Sequence, residues 1–582
     1  MPIIFLSLLI FLNYFLTQSQ IIFGGDSAEF LTVIATISIA HPPGYPLYTL
    51  IGIFFNKVLF FLPFIQRVNL ISITASTLSI YFIYRTLSLF KIRKIIILYS
   101  VCFFSIIYLI WLYSIVPEVF ALHLFLISIL LYYGFLFNIT ENRKYLVIFY
   151  FIFGLGLAHH HTILLFALPF ILINRKFIGK EIFFIFIFIP IYLYPVIASK
   201  ANPPIDWENS QTLSGLLRLF TRYSYGVISP YYQSIPNLVN QLAILISTVI
   251  YIIGDFKPIS VFFITIGLIY SKKFAKKNYQ VFLLILIFYL IFLFITNFDL
   301  SQSFSQATFE RFLVPLYLLL IFYFAFGIQQ VYDWLIIYLQ KFKKRYLTRL
   351  STVFFSFVLF YLLINNYFLS IVNIKALNKD DLYKKFIRTL FSDLPKNSIL
   401  LLKSDLTYFP SSYFYYVEKN RNDIALVFPG MFFRDYYLKK IQSVYPNINF
   451  KDATMIDKFF LNNKNYDIFT EIGYPNFYFA PYGYLLKFYS SKDNLKADID
   501  NISDYNLLFW KKNINDLFLD KNQKKILFYK ALSEYQQEKL LQFFRFLNDN
   551  NKQDKLEQLK RIYQPYCSLF YAEVQFTLCS NR

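Results

Sequence analysis

Residues 25–52 read GDSAEFLTVIATISIAHPPGYPLYTLIG. Asp26 and Glu29 stand three apart at the head of an apolar stretch, the usual signature of a helix start with an acidic N-cap and Glu at N3. The same spacing puts both carboxylates on the first turn, so capping and chemistry ask for the same residues. The helix has to stop near Ala40, because His41 precedes Pro42 and Pro43 and a residue before proline is pushed out of the α region. His41-Pro42-Pro43-Gly44-Tyr45-Pro46 is then a stiff turn, in which His41 taken singly reads as a hydrogen-bonded turn residue. What surrounds this stretch decides the fold.

Of 582 residues, 57% are apolar, 21% aromatic and 15% charged, against about 25% charged in an ordinary soluble domain. A fully soluble enzyme is excluded. The 22 prolines and 16 glycines are too few for a fibrous or disordered chain carrying 72 Phe and 49 Tyr, so a polytopic membrane protein remains. A net charge of +22 then means basic cytoplasmic loops facing anionic lipid, with nucleic-acid binding far behind. Cys102, Cys567 and Cys579 offer neither a disulfide framework nor zinc spacing; whether Cys567 and Cys579 pair is left open.

The first 16 residues read as an uncleaved span rather than a signal peptide. Further apolar runs long enough to cross about 30 Å of hydrocarbon lie near 68–90, 95–113, 118–137, 145–158, 161–174, 181–198, 256–270, 279–296, 311–329 and 350–370. The runs 46–63 and 237–253 are ambiguous. Basic clusters at Lys91 to Lys94, Arg143 and Lys144, Arg175 to Lys180, Lys272 to Lys277 and Lys341 to Arg345 should all be cytoplasmic. With a cytoplasmic N-terminus this parity holds only if neither ambiguous run spans, and Lys57 in the middle of the first argues the same way. The expectation is about eleven spans, with 17–67, 116–118, 159–161, 199–255, 297–310 and everything after 375 outside.

Composition shifts near Asn373, where charged residues become frequent. The expected domains are 1–372 in the membrane, 373–512 as an extracytoplasmic α/β domain, and 513–582 as a helical segment. Ile399 to Lys403, Ile424 to Phe428 and Tyr466 to Ile472 read as buried strands. No fixed-period repeat and no nucleotide-binding glycine loop is visible.

The combination of acidic outer loop, His-bearing turn and surface-lying helix resembles the first outer loop of the GT-C membrane glycosyltransferases. The rest resembles one branch of them, a bacterial domain-of-unknown-function family related to eukaryotic transmembrane protein O-mannosyltransferases. The blocks that carry the likeness are GDSAEFLTVIATISIAHPPGYPLYTLIG (25–52), RVNLIS (67–72), WLYSIVPEVFALHLF (111–125), GLGLAHHHTILL (154–165), NPPIDWENSQTLSGLLRLFTRYSYG (202–226) and ERFLVPLYL (310–318). Glu208 departs from the pattern, which has Gly there.

The resemblance implies a GT-C-like fold and transfer of a sugar, mannose or another hexose, from a polyprenyl-phosphate donor to a hydroxyl of a protein or glycan acceptor, such as protein Ser/Thr, on the outer face of a bacterial inner membrane, with inversion. It carries the role of acceptor-activating base to Asp26, with Glu29 as second carboxylate. Arg311 is the favoured donor-phosphate group; the plain alternative is an Arg snorkelling at the interface and paired with Glu310. Arg218 and Arg222, four apart on one helix, are further candidates for phosphate or substrate binding. His41, Glu118, His159, His160, His161, Trp207 and Glu310 complete the set. Three consecutive His cannot all face one site on a helix, so a three-His metal centre is not expected. Glu118 also reads as a helix cap, and Trp207 as an interfacial anchor. No cofactor is expected, and the need for a divalent metal is not decided by the sequence. A transporter or flippase would need internal repeats and midplane charges, and a mere anchor for the C-terminal domain would need fewer spans.

Overall fold

The computed structural model describes residues 2–225, 237–340, 345–379 and 381–579. Most of Lys341 to Arg345 and the end of the 202–226 block lie outside them. Contacts divide the chain into two compact units: residues up to Gln20 with Val33–Lys379, and Ile21–Thr32 with the chain beyond Lys379. The division falls a few residues past Asn373 because helix Arg345–Leu377 runs through it. Residues 513–582 belong to the same unit as the sheet that precedes them.

The membrane unit is a helical bundle whose long helices follow the apolar runs: Phe64–Leu87, Phe120–Thr140, Arg143–Leu157, Pro258–Ala275, Tyr279–Thr296, Leu313–Gln340 and Arg345–Leu377. Among the described residues seven helical stretches are long and apolar enough to cross a membrane, or up to eight if one bent pair counts as a span. The other expected spans are shorter or irregular. Pro2–Thr17 has 16 residues, Arg143–Leu157 has 15 and His161–Ile173 is shorter still, whereas the 181–198 run, although 3-10 helix up to Ile187, lies in a stretch long and apolar enough to cross, Lys180–Lys200. The bent pair is Lys94–Ser105 and Tyr108–Ser114, at 67°. Neither Pro nor Gly marks that break, and Tyr14 donates its hydroxyl to the Ser105 carbonyl (2.7 Å) beside it.

Helix Leu313–Gln340 is the spine of the bundle. Pro258–Ala275 packs along it backbone to backbone: a Cβ on Gly267 would lie 1.7 Å from the Tyr323 carbonyl oxygen, and one on Gly327 1.8 Å from that of Phe263. Two glycines facing each other permit this approach.

Four basic clusters converge on one end of the bundle. Arg93 donates its backbone N–H to Gln329 and lays its guanidinium over Tyr332. Lys273 reaches Gln330 and Asp333, Lys277 lies 4.0 Å from Glu141, Arg143 pairs with Glu181 at 3.1 Å, and Asn138 links Asn278 and Asn174.

Both ambiguous runs keep to the opposite end. In helix Pro46–Val58 the Leu47 N–H meets the Ala158 carbonyl, while Asn56 near its far end accepts from Arg67 at the start of Phe64–Leu87. Helix Leu238–Phe256 is long and apolar enough to cross. Its contacts show otherwise: Asn237 bonds Asn297, Tyr251 packs on Phe309 and Asp255 accepts from Tyr317, all near the same ends of their helices.

The second unit holds a five-stranded sheet of order β2-β1-β3-β5-β4. β1 (Ile399–Leu401), β2 (Ala425–Val427) and β3 (Ile468–Thr470) are parallel, with Ile399 opposite Ala425 and Ile468. These are the three strands the apolar runs announce. β4 (Tyr478–Tyr482) and β5 (Leu485–Tyr489) form an antiparallel hairpin that Pro481 and Gly483 disguise as loop. The β2 edge is closed by tyrosines of the following helix Asp435–Val444 and its C-cap, since the N–H groups of Leu426 and Phe428 donate to the hydroxyls of Tyr445 and Tyr437. Beyond β1 and β3, where parallel sheets commonly seat phosphates, the Glu471 carboxylate accepts from the N–H groups of Lys403 and Ser404 and from the Thr407 hydroxyl. The longest helices of the unit, Lys492–Asn513, Leu527–Asp549 and Gln553–Tyr563, follow the sheet, and Cys567 pairs with Cys579.

Candidate active site

Asp26 lies one residue before helix Ser27–Thr36 and accepts the Phe30 N–H on its carbonyl, at 2.9 Å. The helix is shorter than the sequence suggests: Ile37 turns to φ 52° before the prolines can act, an uncommon conformation for a β-branched residue. Asp26 and Glu29 fall in the C-terminal domain's unit, since Ile21–Thr32 packs with it. The preceding diglycine is dictated by this packing, because a Cβ on Gly25 (φ +65°) would meet the Phe528 ring at 2.4 Å. Glu29 is fully buried.

The membrane unit gathers most other candidates. Arg311 Nη1 lies 3.3 Å from Glu118 Oε1, and its guanidinium lies over the Phe120 ring. Its ion-pair partner is Glu118, not the adjacent Glu310. Glu310 instead accepts from the Tyr113 hydroxyl at 3.0 Å, and burial pushes its carboxyl up to about 8.

The three His leave helix Arg143–Leu157 on a non-helical turn, so they diverge. His159 Nε2 must carry a proton, because it meets the Val119 carbonyl at 2.9 Å; its ring stacks on Tyr48. His160 packs between Phe120 and Phe312 and lies 4.6 Å from His123, ring to ring. Thr162 Oγ1 lies 2.8 Å from both His123 Nε2 and His160 Nδ1. The Thr162 N–H also points at His160 Nδ1, which makes that nitrogen the acceptor. One hydroxyl proton then fixes the chain: His123 Nε2–H donates to Thr162, Thr162 donates to His160, and His160 keeps its proton on Nε2. His161 packs on Phe220.

His41 lies beside Tyr45 and Trp207, and Tyr45 beside His159 and His160. Trp207 is buried. Asp206 holds the Ser199 hydroxyl and the Asn209 N–H, a loop-forming role. Glu208, the departure from the family pattern, takes Arg218 Nε at 3.2 Å and the Ser224 hydroxyl. Among the described residues no group of three or more His, Cys, Asp or Glu is placed to hold a metal ion.

Tyr113, His123 and Thr162 were not among the residues the sequence singled out. A His inside an apolar span is itself a signal; one Tyr among 49 is not.

The fold has a solved counterpart. The crystal structure of ArnT from Cupriavidus metallidurans bound to undecaprenyl phosphate superposes with a TM-score of 0.50 over 86% of this chain and 94% of that one, at 11% identity. This chain is thus a multi-pass membrane protein with the fold of that structure. Residues 26–178 match the family domain described as the protein O-mannosyl-transferase TMEM260 N-terminal domain. Two relatives carry the name protein O-mannosyl-transferase TMEM260. The one from Dictyostelium discoideum is 24% identical over 71% of this chain and 55% of its own length; the one from Mus musculus is 28% identical over 75% and 63%. The chain thus aligns with less than two thirds of the length of either.

Proposed function

We propose that the protein transfers mannose or another hexose from a polyprenyl-phosphate donor to a hydroxyl acceptor, protein Ser/Thr, on the extracytoplasmic face, with inversion at the anomeric carbon. The observation that carries this is the polarity of the membrane unit: basic clusters at one end, and Glu118, Arg311, Glu310 and the His turn at the other. The basic end belongs in the cytoplasm, so the opposite end faces outward, and the charge parity of the spans assigns the region after 375 to the same side. The Cys567–Cys579 pair suits an oxidising exterior. The relatives' names point to O-mannosyl transfer, and ArnT is a GT-C protein with a bound polyprenyl phosphate.

In this reading Asp26 accepts the acceptor's proton, the freed oxygen attacks the anomeric carbon, and the bond from that carbon to the phosphate oxygen breaks opposite it. Glu29, buried one turn along, supports the helix start. Arg311 meets the charge that grows on the leaving phosphate, with Glu118 holding its guanidinium in place. The test is sugar transfer from polyprenyl-phosphate mannose to a Ser/Thr peptide by the purified full chain. Transfer with inverted product supports the proposal. No transfer from any polyprenyl-phosphate hexose would overturn it.

A further inference from the structure

Arg218, Arg222 and Arg311 are treated differently by the structure. Arg311 is clamped to Glu118 and Arg218 to Glu208, each against a carboxylate side chain no more than 1% exposed. The Arg222 side chain has no hydrogen bond or ion pair among the described residues, and its Nε is closed off from solvent. A guanidinium donor buried without an acceptor is costly, and an anion would relieve that cost.

Its place is held by the backbone. Arg222 ends helix Leu213–Thr221 in the left-handed region at φ 56°, a conformation non-glycine residues adopt at a cost and often at functional sites. Two residues earlier, Phe220 packs edge-on against His161 with ring centroids 5.0 Å apart, which brings the helix end to the His turn. Burial first, and then neighbouring charge including that of Arg222, keep His160 and His161 below the ordinary imidazole range. Both are therefore neutral rings, each with one N–H to offer. On His160 the Thr162 contacts place that proton on Nε2; on His161, Nε2 is buried and meets no partner.

We infer that Arg222, His160 and His161 form the seat of a phosphate ester, the lipid-linked phosphate of the sugar donor. Thr162 and His123 act as positioning residues that fix the His160 tautomer. The inference rests on the donor class proposed above and moves ground-state phosphate binding from Arg311 to Arg222. Arg311 is left to act on the leaving group, where its charge matters most as the bond breaks.

The experiment is equilibrium binding of undecaprenyl phosphate to the purified full chain in detergent, with inorganic phosphate as a competing probe. Arg222→Gln is expected to weaken binding at least about thirtyfold, the loss that follows removal of one partner from a buried charge-assisted contact. Arg222→Lys should recover at least about fivefold of that, since the charge is kept and the fork lost. Thr162→Val should weaken binding about fivefold, while Thr162→Ser, which keeps the hydroxyl, stays within about twofold; a purely packing role for Thr162 would not separate them. If Arg222→Gln does not fold, His161→Asn carries the test with an expected loss of about fivefold. A larger loss in Arg311→Gln than in Arg222→Gln overturns the seat. Displacement of the lipid by inorganic phosphate at equal concentration overturns the lipid as its occupant. If the unaltered chain binds no undecaprenyl phosphate, both this inference and the donor class fall; if it binds and Arg222→Gln binds equally well, the seat alone falls.

Discussion

Arg311 and Glu118 meet at 3.3 Å across 193 residues of sequence, with side chains only 5% and 0% exposed. Removing one partner of a buried ion pair costs up to about 3–5 kcal/mol. Losing Glu118 should cost more than losing Arg311, since a carboxylate deprived of its cation can take up a proton and a guanidinium cannot release one. Thermal unfolding in detergent should therefore rank unaltered chain above Arg311→Gln, and that above Glu118→Gln. Equal midpoints for Glu118→Gln and the unaltered chain would show that the pair contributes nothing.

Glu310 gives stability a pH dependence of definite sign. Burial raises its carboxyl from 4.5 to about 8, so between those values the folded protein keeps a proton that the unfolded chain has released. Stability contributed by this group falls as pH rises through that window. Glu310→Gln, which keeps an acceptor for the Tyr113 hydroxyl, should flatten the decline between pH 5 and pH 8. An unchanged slope in the variant's melting curves would remove Glu310 as its source.

The glycine crossing makes a packing prediction. A Cβ on Gly327 would lie 1.8 Å from the Phe263 carbonyl oxygen, and backbone cannot move aside as a side chain can. Gly327→Ala should force helices Pro258–Ala275 and Leu313–Gln340 apart, at a cost at or above the about 1–3 kcal/mol of ordinary overpacking. Gly254, with open space around it, is the matched control. A melting midpoint for Gly327→Ala as high as that of Gly254→Ala would refute the close approach.

Orientation is open to cysteine labelling. In intact cells Lys396→Cys should react with an impermeant maleimide, and Lys91→Cys and Lys277→Cys should react only once the membrane is opened. The reverse pattern would invert the topology and remove the active-site face with it.

Much of this arrangement was legible in the sequence, for identifiable reasons. The basic clusters could be placed because a charge in hydrocarbon costs several kcal/mol, so each cluster marks a membrane edge wherever it falls. Lys57 told against spanning by the same logic, and helix Pro46–Val58 does stay at one end of the bundle. β1 to β3 were visible because strands buried on both faces read as unbroken apolar runs. The hairpin of β4 and β5 was hidden, since Pro481 and Gly483 are loop residues by local rule and become strand and turn only when paired. Nor does any local pattern disclose that Arg311 reaches back to Glu118 past its neighbour Glu310, or that Thr162 joins His123 to His160. Those are consequences of which helices pack together, and helices this uniformly apolar carry little sign of their partners.

The catalytic assignment turns on Asp26. It stands at a helix start where capping alone would explain an acid, so the decisive substitution has to separate capping from basicity. Asp26→Asn does this: Asn caps a helix about as well as Asp and matches its size, but it cannot accept a proton at neutral pH. If Asp26 is the base that activates the acceptor hydroxyl, transfer should fall at least about a hundredfold, the lower end of what a positioned general base contributes. Undecaprenyl phosphate binding and the melting midpoint should stay close to those of the unaltered chain. Glu29→Gln distinguishes the two carboxylates. Glu29 is fully buried, so its loss should lower stability, and transfer only in proportion to the folded fraction. Near-normal turnover in Asp26→Asn would reduce Asp26 to a helix cap, and a selective loss of turnover in Glu29→Gln would move the base one turn along the same helix.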